Sequence, residues 1–432
     1  MKPFLKYAEQ LDALLDEIEW GQRPYHRAEA VKKVLMHQPA EILHGAGNES
    51  SIWRAGAYFT SPHLADLALN PLTQRGRLLR NPVFDPTCGA GDLLLRWADE
   101  LPVSRNLLST LATWESLLRG NDLFHEFLTV AKRRLVLKAI SRGARLQGGR
   151  PPKVDKLFPG IKRGDARDAH DQDTVLTLVM NPPFGKVSAP RECNWTSGKV
   201  SLAALLLESC IKQAQPKTQV VAILPDVLRT GTRYERWRKL ISENLKIVRV
   251  QPYGRFDKYA DIDVFIIEGT VGHGKQIKWW QASSKAQYGV IGDFFEVSVG
   301  AVVPHRDPNR GAWHPFATAK SVTPWSTIPE LKLHRRFEGA VVAPPFVTVR
   351  RTSSPRDNAR AVGSIVTGQD KVAVENHLLV LKPKSGRIDE CESLLTNLRD
   401  ARTKKWLDHR IRCRHLTVGV LRELPMWAKK HE

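Results

Sequence analysis

Val83-Phe84-Asp85-Pro86-Thr87-Cys88-Gly89-Ala90-Gly91-Asp92 runs directly into Leu93, Leu94 and Leu95. A short apolar run enters a turn with glycines at 89 and 91, and a helical pattern begins at 92. Glycine supplies dihedrals that other residues avoid and lets a ligand approach the backbone. Asp85, at the end of the strand, can accept hydrogen bonds from a cationic group. A strand, a Gly-rich turn and a helix open many nucleotide-binding folds, and plain turns share the pattern. Cys88 has no evident base partner, so it reads as a small turn residue and not as a nucleophile.

Outward from this stretch, apolar strand-like runs alternate with helical patterns from about 80 to 270. The strand runs are Val83–Phe84, Leu117–Leu118, Val175–Val179, Val220–Leu224, Ile247–Val250 and Val264–Ile267. Helical patterns cover 92–100, 124–140, 200–213 and 232–244. The alternation predicts an α/β fold with a doubly wound, mostly parallel sheet. Residues 142–163, rich in Gly, Pro, Lys and Arg, read as a surface loop. Leu5, Leu11, Leu14, Leu15 and Ile18 predict helix near the N-terminus. After about 285 prolines crowd the chain and short β-rich runs follow, with a helical run over 389–407. We therefore expect a helical segment over 1–50, an α/β domain over 51–285, and a mixed α+β domain over 286–432.

A second stretch carries chemistry: Thr177-Leu178-Val179-Met180-Asn181-Pro182-Pro183-Phe184. An apolar strand ends at Asn181, and two prolines fix the backbone and remove two N–H donors. The Asn181 amide and the Pro182 carbonyl are then rigid acceptors at a strand's C-terminal end, able to grip an exocyclic amino group. Phe184 offers a face on which a flat base can stack. Alone, the motif could equally be a strand-ending turn. The Gly-rich turn ahead of it makes that reading poor.

Together these motifs resemble the amino-group DNA methyltransferases of the adenine-N6 type, which depend on S-adenosylmethionine. The order of motifs is also similar. Gly56-Ala57-Tyr58-Phe59-Thr60-Ser61-Pro62 precedes the Gly-rich turn and resembles the family's first cofactor motif, although Ser61 separates Thr60 from the proline. The resemblance assigns Thr60 to the cofactor's methionyl carboxylate, and Asp85, Pro86, Gly89 and Gly91 to the cofactor-binding turn. It assigns Asp122 to the ribose hydroxyls and Asp165 to the cofactor's adenine amino group, with Asp168 as a competitor. Asn181, Pro182, Pro183 and Phe184 match the catalytic motif. The implied mechanism holds both N6 hydrogens of a flipped-out adenine on the Asn181 amide oxygen and the Pro182 carbonyl. Cytosine-C5 chemistry would need a Pro-Cys pair, and none of the five cysteines follows a proline.

Charge agrees with a polyanion partner. Lys and Arg number 66 against 45 Asp and Glu, a net of +21, which favours nucleic acid. Two basic stretches stand out. Residues 132–163 hold eleven Lys and Arg and one acid, Asp155; Arg399 to Arg414 hold seven and two. Each is either a phosphate-binding surface or a solvated face. Val347 to Leu379 resembles a target-recognition domain. Arg350, Arg351, Lys404, Lys405, Arg410 and Arg412 are the candidate contacts to duplex DNA.

The remaining features exclude rather than identify. Hydrophobic residues are 42% and charged residues 26%, which rules out fibrous and wholly disordered classes. The five cysteines, at 88, 193, 210, 391 and 413, form no CxxC pair, so no cysteine zinc site is expected. The N-terminus lacks the apolar core of a signal peptide, and no run is long enough to span a membrane, so the cytoplasm or nucleoid of a bacterium or archaeon is expected. The expected function is a site-specific DNA adenine-N6 methyltransferase of a restriction-modification system. No nuclease motif is evident, so cleavage, if any, falls to a separate restriction nuclease, and an alternative reading is a modification subunit that needs a separate specificity subunit. Other readings are an RNA adenine methyltransferase, a protein glutamine methyltransferase, and a DNA-binding component without turnover.

Overall fold

The computed structural model describes residues 2–17, 31, 35, 38–45, 58–74, 80–146, 153–168, 177–258, 260–277, 279–280, 288–368, 370–412 and 414–427. The chain divides into two compact units, Met1–Ile277 and Lys278–Glu432. The division falls shortly before residue 285, and the N-terminal helix belongs to the first unit.

The first unit is built on a seven-stranded sheet: β1 (Val83–Asp85), β2 (Leu118–Asp122), β3 (Ile161–Arg163), β4 (Thr177–Met180), β5 (Gln219–Pro225), β6 (Leu245–Arg255) and β7 (Asp263–Val271). Its spatial order is β3-β2-β1-β4-β5-β7-β6. The first five strands are parallel, and β7 runs antiparallel to both β5 and β6. Every residue of β1 and β4 is buried, the pattern of parallel strands covered on both faces.

Around the sheet lie α1 (Lys2–Asp16), α2 (Pro62–Thr73), α3 (Asp92–Ala98), α4 (Leu107–Leu117), α5 (His125–Ser141), α6 (Leu202–Gln213) and α7 (Glu235–Asn244). On α1, Leu11, Leu14 and Leu15 are buried in the core together with Phe4 and Tyr7, while Leu5 faces out at 45% exposure. The order Thr60-Ser61-Pro62 has a local cause. Ser61 is the N-cap of α2, its hydroxyl accepting from Leu64 N–H at 3.3 Å, and Pro62 takes the first helical position, where a missing N–H costs nothing. Gly91 caps α3 with φ of +84°, and a Cβ there would sit 3.1 Å from that of Ala131 on α5. Only glycine permits both the turn and that approach.

Two segments differ from the sequence reading. The stretch 142–163, read as a loop, contains the edge strand β3, whose exposed Lys162 and Arg163 hide it from an apolar-run criterion. Leu117 ends α4, so β2 starts one residue later than expected. The expected strand residues 175–176, the loop residues 147–152, and Gly56-Ala57 of the first motif lie outside the described residues.

The second unit is mixed α+β. A five-stranded sheet has the spatial order β8 (Phe295–Val299), β15 (Leu378–Pro383), β12 (Phe346–Arg350), β13 (Gly363–Val366), β10 (Thr327–Ile328). A three-stranded one has β11 (His334–Phe337), β9 (Ala312–Ala317), β14 (Ala373–Val374). The helical run expected over 389–407 is two helices, α8 (Ile388–Arg399) and α9 (Ala401–Arg410). Asp400 breaks it by adopting extended backbone and capping α9 through a bond from Arg402 N–H at 2.8 Å. No helix among the described residues is long and apolar enough to cross a membrane.

Candidate functional site

In the sheet order, the chain leaves β1 toward β2 and β3 on one side, and β4 toward β5 on the other. At such a switch point the loops diverge and leave a crevice beyond the strands' C-terminal ends. A cavity of about 380 Å³ occupies that place. Asp85 ends β1, Asp122 ends β2, Asp165 follows β3 and Asn181 follows β4, and all four line the cavity, as do Thr60, Pro86 and Gly89. Residues scattered over 122 positions of sequence thus converge on one site. Gly91 shapes the turn from behind. Of the catalytic motif, Asn181 and Pro183 line the wall, while Pro182 is buried beneath it and Phe184 packs beside it.

The turn is held by hydrogen bonds from β2. Cys88 N–H donates to Asn121 O at 2.8 Å, and Gly89 N–H donates to Asp122 Oδ2 at 3.0 Å. The other Asp122 oxygen accepts from Phe124 N–H at 2.9 Å. Burial raises the Asp122 pKa to about 6, against the lowering effect of those N–H groups. Asp85 is pushed up to about 8, first by burial and then by the neighbouring charges of Asp122 and Asp92, although Thr87 N–H bonds it at 3.0 Å. Burial also raises the Cys88 thiol well above its ordinary range, which removes it as a nucleophile. Asp165 differs: the Arg167 guanidinium bonds both its oxygens and holds its pKa low. The side chain of its competitor Asp168 lies outside the described residues.

Asn181 is the most constrained polar group. Its Nδ2 donates to Tyr58 O at 3.1 Å and to Thr60 Oγ1 at 2.9 Å. Its Oδ1 is buried and has no hydrogen-bond partner among the described residues. A buried amide oxygen left unpaired is costly, so the site holds an acceptor that a ligand's N–H can satisfy. Phe184 stacks on Tyr58 with ring centroids 5.1 Å apart, and Phe256 packs edge-on to both. The ring expected to receive a base therefore already has a neighbour. Tyr58, Phe124 and Phe127 also line the cavity. Sequence reasoning missed them as site residues, although Tyr58 lies within a quoted motif and Phe124 follows Asp122 by two.

No family model matches the chain, and no curated protein does. Solved structures do. The type IIL restriction-modification enzyme MmeI, solved in complex with DNA, is similar at a TM-score of 0.54 and 12% identity, over 90% of this chain and 70% of that one. The type IIG restriction endonuclease BpuSI gives 0.45 and 13% over 92% of this chain, and a type I restriction-modification system gives 0.41 and 15% over 61%. The chain spans 61% and 50% of the length of those two. The first unit has a Rossmann-like fold, a mostly parallel sheet with helices around it. At these identities the likeness is one of fold.

The expected DNA contacts fall in the second unit, and the structure sorts them. Arg350 ends β12, Arg351 follows it, and both are half-buried. Near Arg351 stand His377, Arg414 and His415; burial, then the charges of Arg351, His377 and Arg414, hold the His415 pKa below its usual value. Lys405 is exposed and Arg412 half-buried. Lys404 pairs with Asp408 at 2.8 Å. Arg410 does not fit the expected role: it is buried, bonds Glu423 at 2.8 Å, and lies 3.8 Å over the Trp280 ring. Within the basic stretch 132–163, the cations on α5 turn inward, while Lys153, Lys156, Lys162 and Arg163 are exposed. Arg133 pairs with Asp12 and Asp155, Arg134 with Asp92, and Lys138 with Asp99, while Arg142 donates to Leu101 O.

Proposed function

We propose that this chain is an S-adenosylmethionine-dependent DNA adenine-N6 methyltransferase of a restriction-modification system. The observation that carries the reading is Asn181, a residue of the cavity lining with both amide N–H groups engaged by Tyr58 and Thr60 and its buried oxygen unpartnered among the described residues. The donor set suits the cofactor. Asp85 offers a carboxylate to a cationic group, Asp122 has lone pairs left for ribose hydroxyls, and Asp165 is held ionised as an acceptor for an amino group. Gly89, with φ of +52°, keeps its turn open where a Cβ would meet the Phe59 ring at 3.2 Å. When bound there, the cofactor supplies an electrophilic sulfonium methyl.

The protein's own part is positioning and electrostatics. The lone pair of an aromatic amine is delocalised into its ring. Asn181 Oδ1 and Pro182 O, accepting the two N6 hydrogens, favour a pyramidal nitrogen whose lone pair points at the methyl donor. Pro182 and Pro183 fix the backbone that aims these acceptors. A duplex adenine reaches them only after flipping out of the stack. The aromatic group of Tyr58, Phe184 and Phe256 provides the apolar surface beside Asn181.

Purified protein incubated with labelled S-adenosylmethionine and, in parallel, methylation-free genomic DNA, total RNA and a protein extract tests this reading. Label should enter DNA as N6-methyladenine and vanish with Asn181→Ala. Label in RNA or protein instead, or full turnover by the variant, would overturn it.

A further inference from the structure

We propose that the β-hairpin formed by residues 186–201 grips backbone phosphates of the DNA strand whose base is presented to Asn181; this rests on the function proposed above. The hairpin begins one residue after Phe184-Gly185. Lys186 pairs with Ser201, Val187 with Val200 and Ser188 with Lys199 in antiparallel register. Leu202 N–H donates to Gly185 O at 2.9 Å and closes its base. Lys186 and Val187 themselves line the cavity. The hairpin is thus an outgrowth of the site wall and not a distant loop.

One face is anchored. Val200 and Trp195 are buried, Trp195 Nε1 donates to Glu208 Oε2 on α6 at 2.7 Å, and Ser201 N–H donates to the Tyr234 hydroxyl at 3.1 Å. Arg233 grips the loop through Thr196 Oγ1 at 3.0 Å and Ser197 O. The other face carries Lys186, Ser188 and Lys199, all exposed, with the buried Ser201 at its base, because alternate residues and cross-strand partners share a face. Arg191 is exposed at the turn, with Glu192 the one acid in the hairpin. None of these three cations forms an ion pair among the described residues. Like charges held together on a rigid face repel unless an anion joins them. The other basic stretch of this unit, on α5, is consumed by internal acids. A strand that inserts its base beside Asn181 must bring its flanking phosphates past this root, and lysine ammonium groups bind phosphate as point charges.

Fluorescence anisotropy of a labelled random-sequence duplex, titrated between about 50 and about 200 mM salt, tests this. Wild type should bind with a slope of log K on log salt that falls by about two in the double variant Lys186→Gln/Lys199→Gln, one per lost phosphate contact. Affinity at low salt should drop about tenfold or more, and Lys186→Arg/Lys199→Arg should restore most of it. Arg191→Gln, at an exposed position of the turn, should lower the slope by about one and guards against a folding defect in the double variant. A wild type that methylates and binds DNA, with an unchanged slope in both Gln variants, would overturn the hairpin's role alone. A wild type that binds no DNA at all would overturn it together with the parent reading.

Discussion

Asn181 Nδ2 lies 2.9 Å from Thr60 Oγ1, across 121 residues of sequence. The hydroxyl therefore accepts from the Asn181 amide and keeps its own proton to donate. Resemblance assigned Thr60 to the cofactor's carboxylate. The geometry gives it a second task, that of setting which way the amide faces. Reversing the amide would put two N–H donors where an amino substrate also offers donors, so orientation decides whether the site can accept at all.

The two tasks of Thr60 separate kinetically. Thr60→Val removes the acceptor at nearly constant volume. It should lower kcat by about tenfold to a hundredfold, the order of one positioning hydrogen bond made in the transition state. Thr60→Ser should retain most of wild-type kcat. Were Thr60 solely a carboxylate ligand, Thr60→Val would raise KM for S-adenosylmethionine and leave kcat intact. Steady-state kinetics with both substrates varied tells the two apart.

Asp85 makes cofactor binding pH-dependent. Burial places its pKa near 8, so the ligand-free protein holds a proton there at neutral pH. A cationic ligand group needs the carboxylate and must displace that proton. Affinity for S-adenosylmethionine should therefore rise about tenfold per pH unit between pH 6 and 8 and level off above. The same proton sets a stability trend. The folded state binds it up to about pH 8 and the unfolded chain only up to about pH 4, so ligand-free stability declines as pH rises through that window. Calorimetry in buffers of different ionisation enthalpy should report proton release on binding. A pH-independent affinity, or an Asp85→Asn variant with the wild-type profile, would refute this account.

Arg134 belongs to stability and not to DNA. It is 2% exposed, bonds Ala90 O at 2.6 Å and pairs with Asp92 at 2.7 Å, joining α5 to the start of α3. Arg134→Met keeps the packing and leaves the Asp92 carboxylate without its partner. Removing one member of a buried pair costs about 3–5 kcal/mol. Urea titration should show that loss, with the salt slope of DNA binding unchanged; a stable variant with a shallower slope would return Arg134 to the phosphate surface.

The same stretch marks where sequence reading stops. The seven-stranded sheet was legible because β1, β4 and β5 are buried and read as apolar runs. Asn181 and Asp85 were legible because rigid prolines and paired glycines sit at strand ends. Strand β3 was not, since an edge strand of three residues with Lys162 and Arg163 has no apolar signature. Nor could charge counting show direction. Arg133 finds Asp12 at a separation of 121 residues and Lys138 finds Asp99 at 39, pairings that exist only once helices pack. In the second unit the β-rich runs of β12, β14 and β15 were legible but the pairing was not: β9 pairs with β14, and β10 with β13, across long gaps that local periodicity does not register.

That distinction gives a final test within the second unit, where sequence alone treated Arg351 and Arg410 alike. Arg410 is 6% exposed, paired with Glu423 and stacked on Trp280. Arg351 stands with His377, Arg414 and His415, and burial first, then the charges of Arg351, His377 and Arg414, lower the His415 pKa. An anion on that cluster relieves the repulsion among those charges. Arg351→Ala should therefore weaken duplex binding by about tenfold, within the range of one charged contact, and leave the melting temperature nearly unchanged. Arg410→Ala should do the reverse, lowering stability by about 0.5–3 kcal/mol with little effect on the salt slope. The His415 ring, followed by NMR, should titrate at higher pH once DNA is bound, because phosphate favours its charged form. Should both variants weaken DNA binding equally with no loss of stability, the burial of Arg410 would have been the wrong guide to its role.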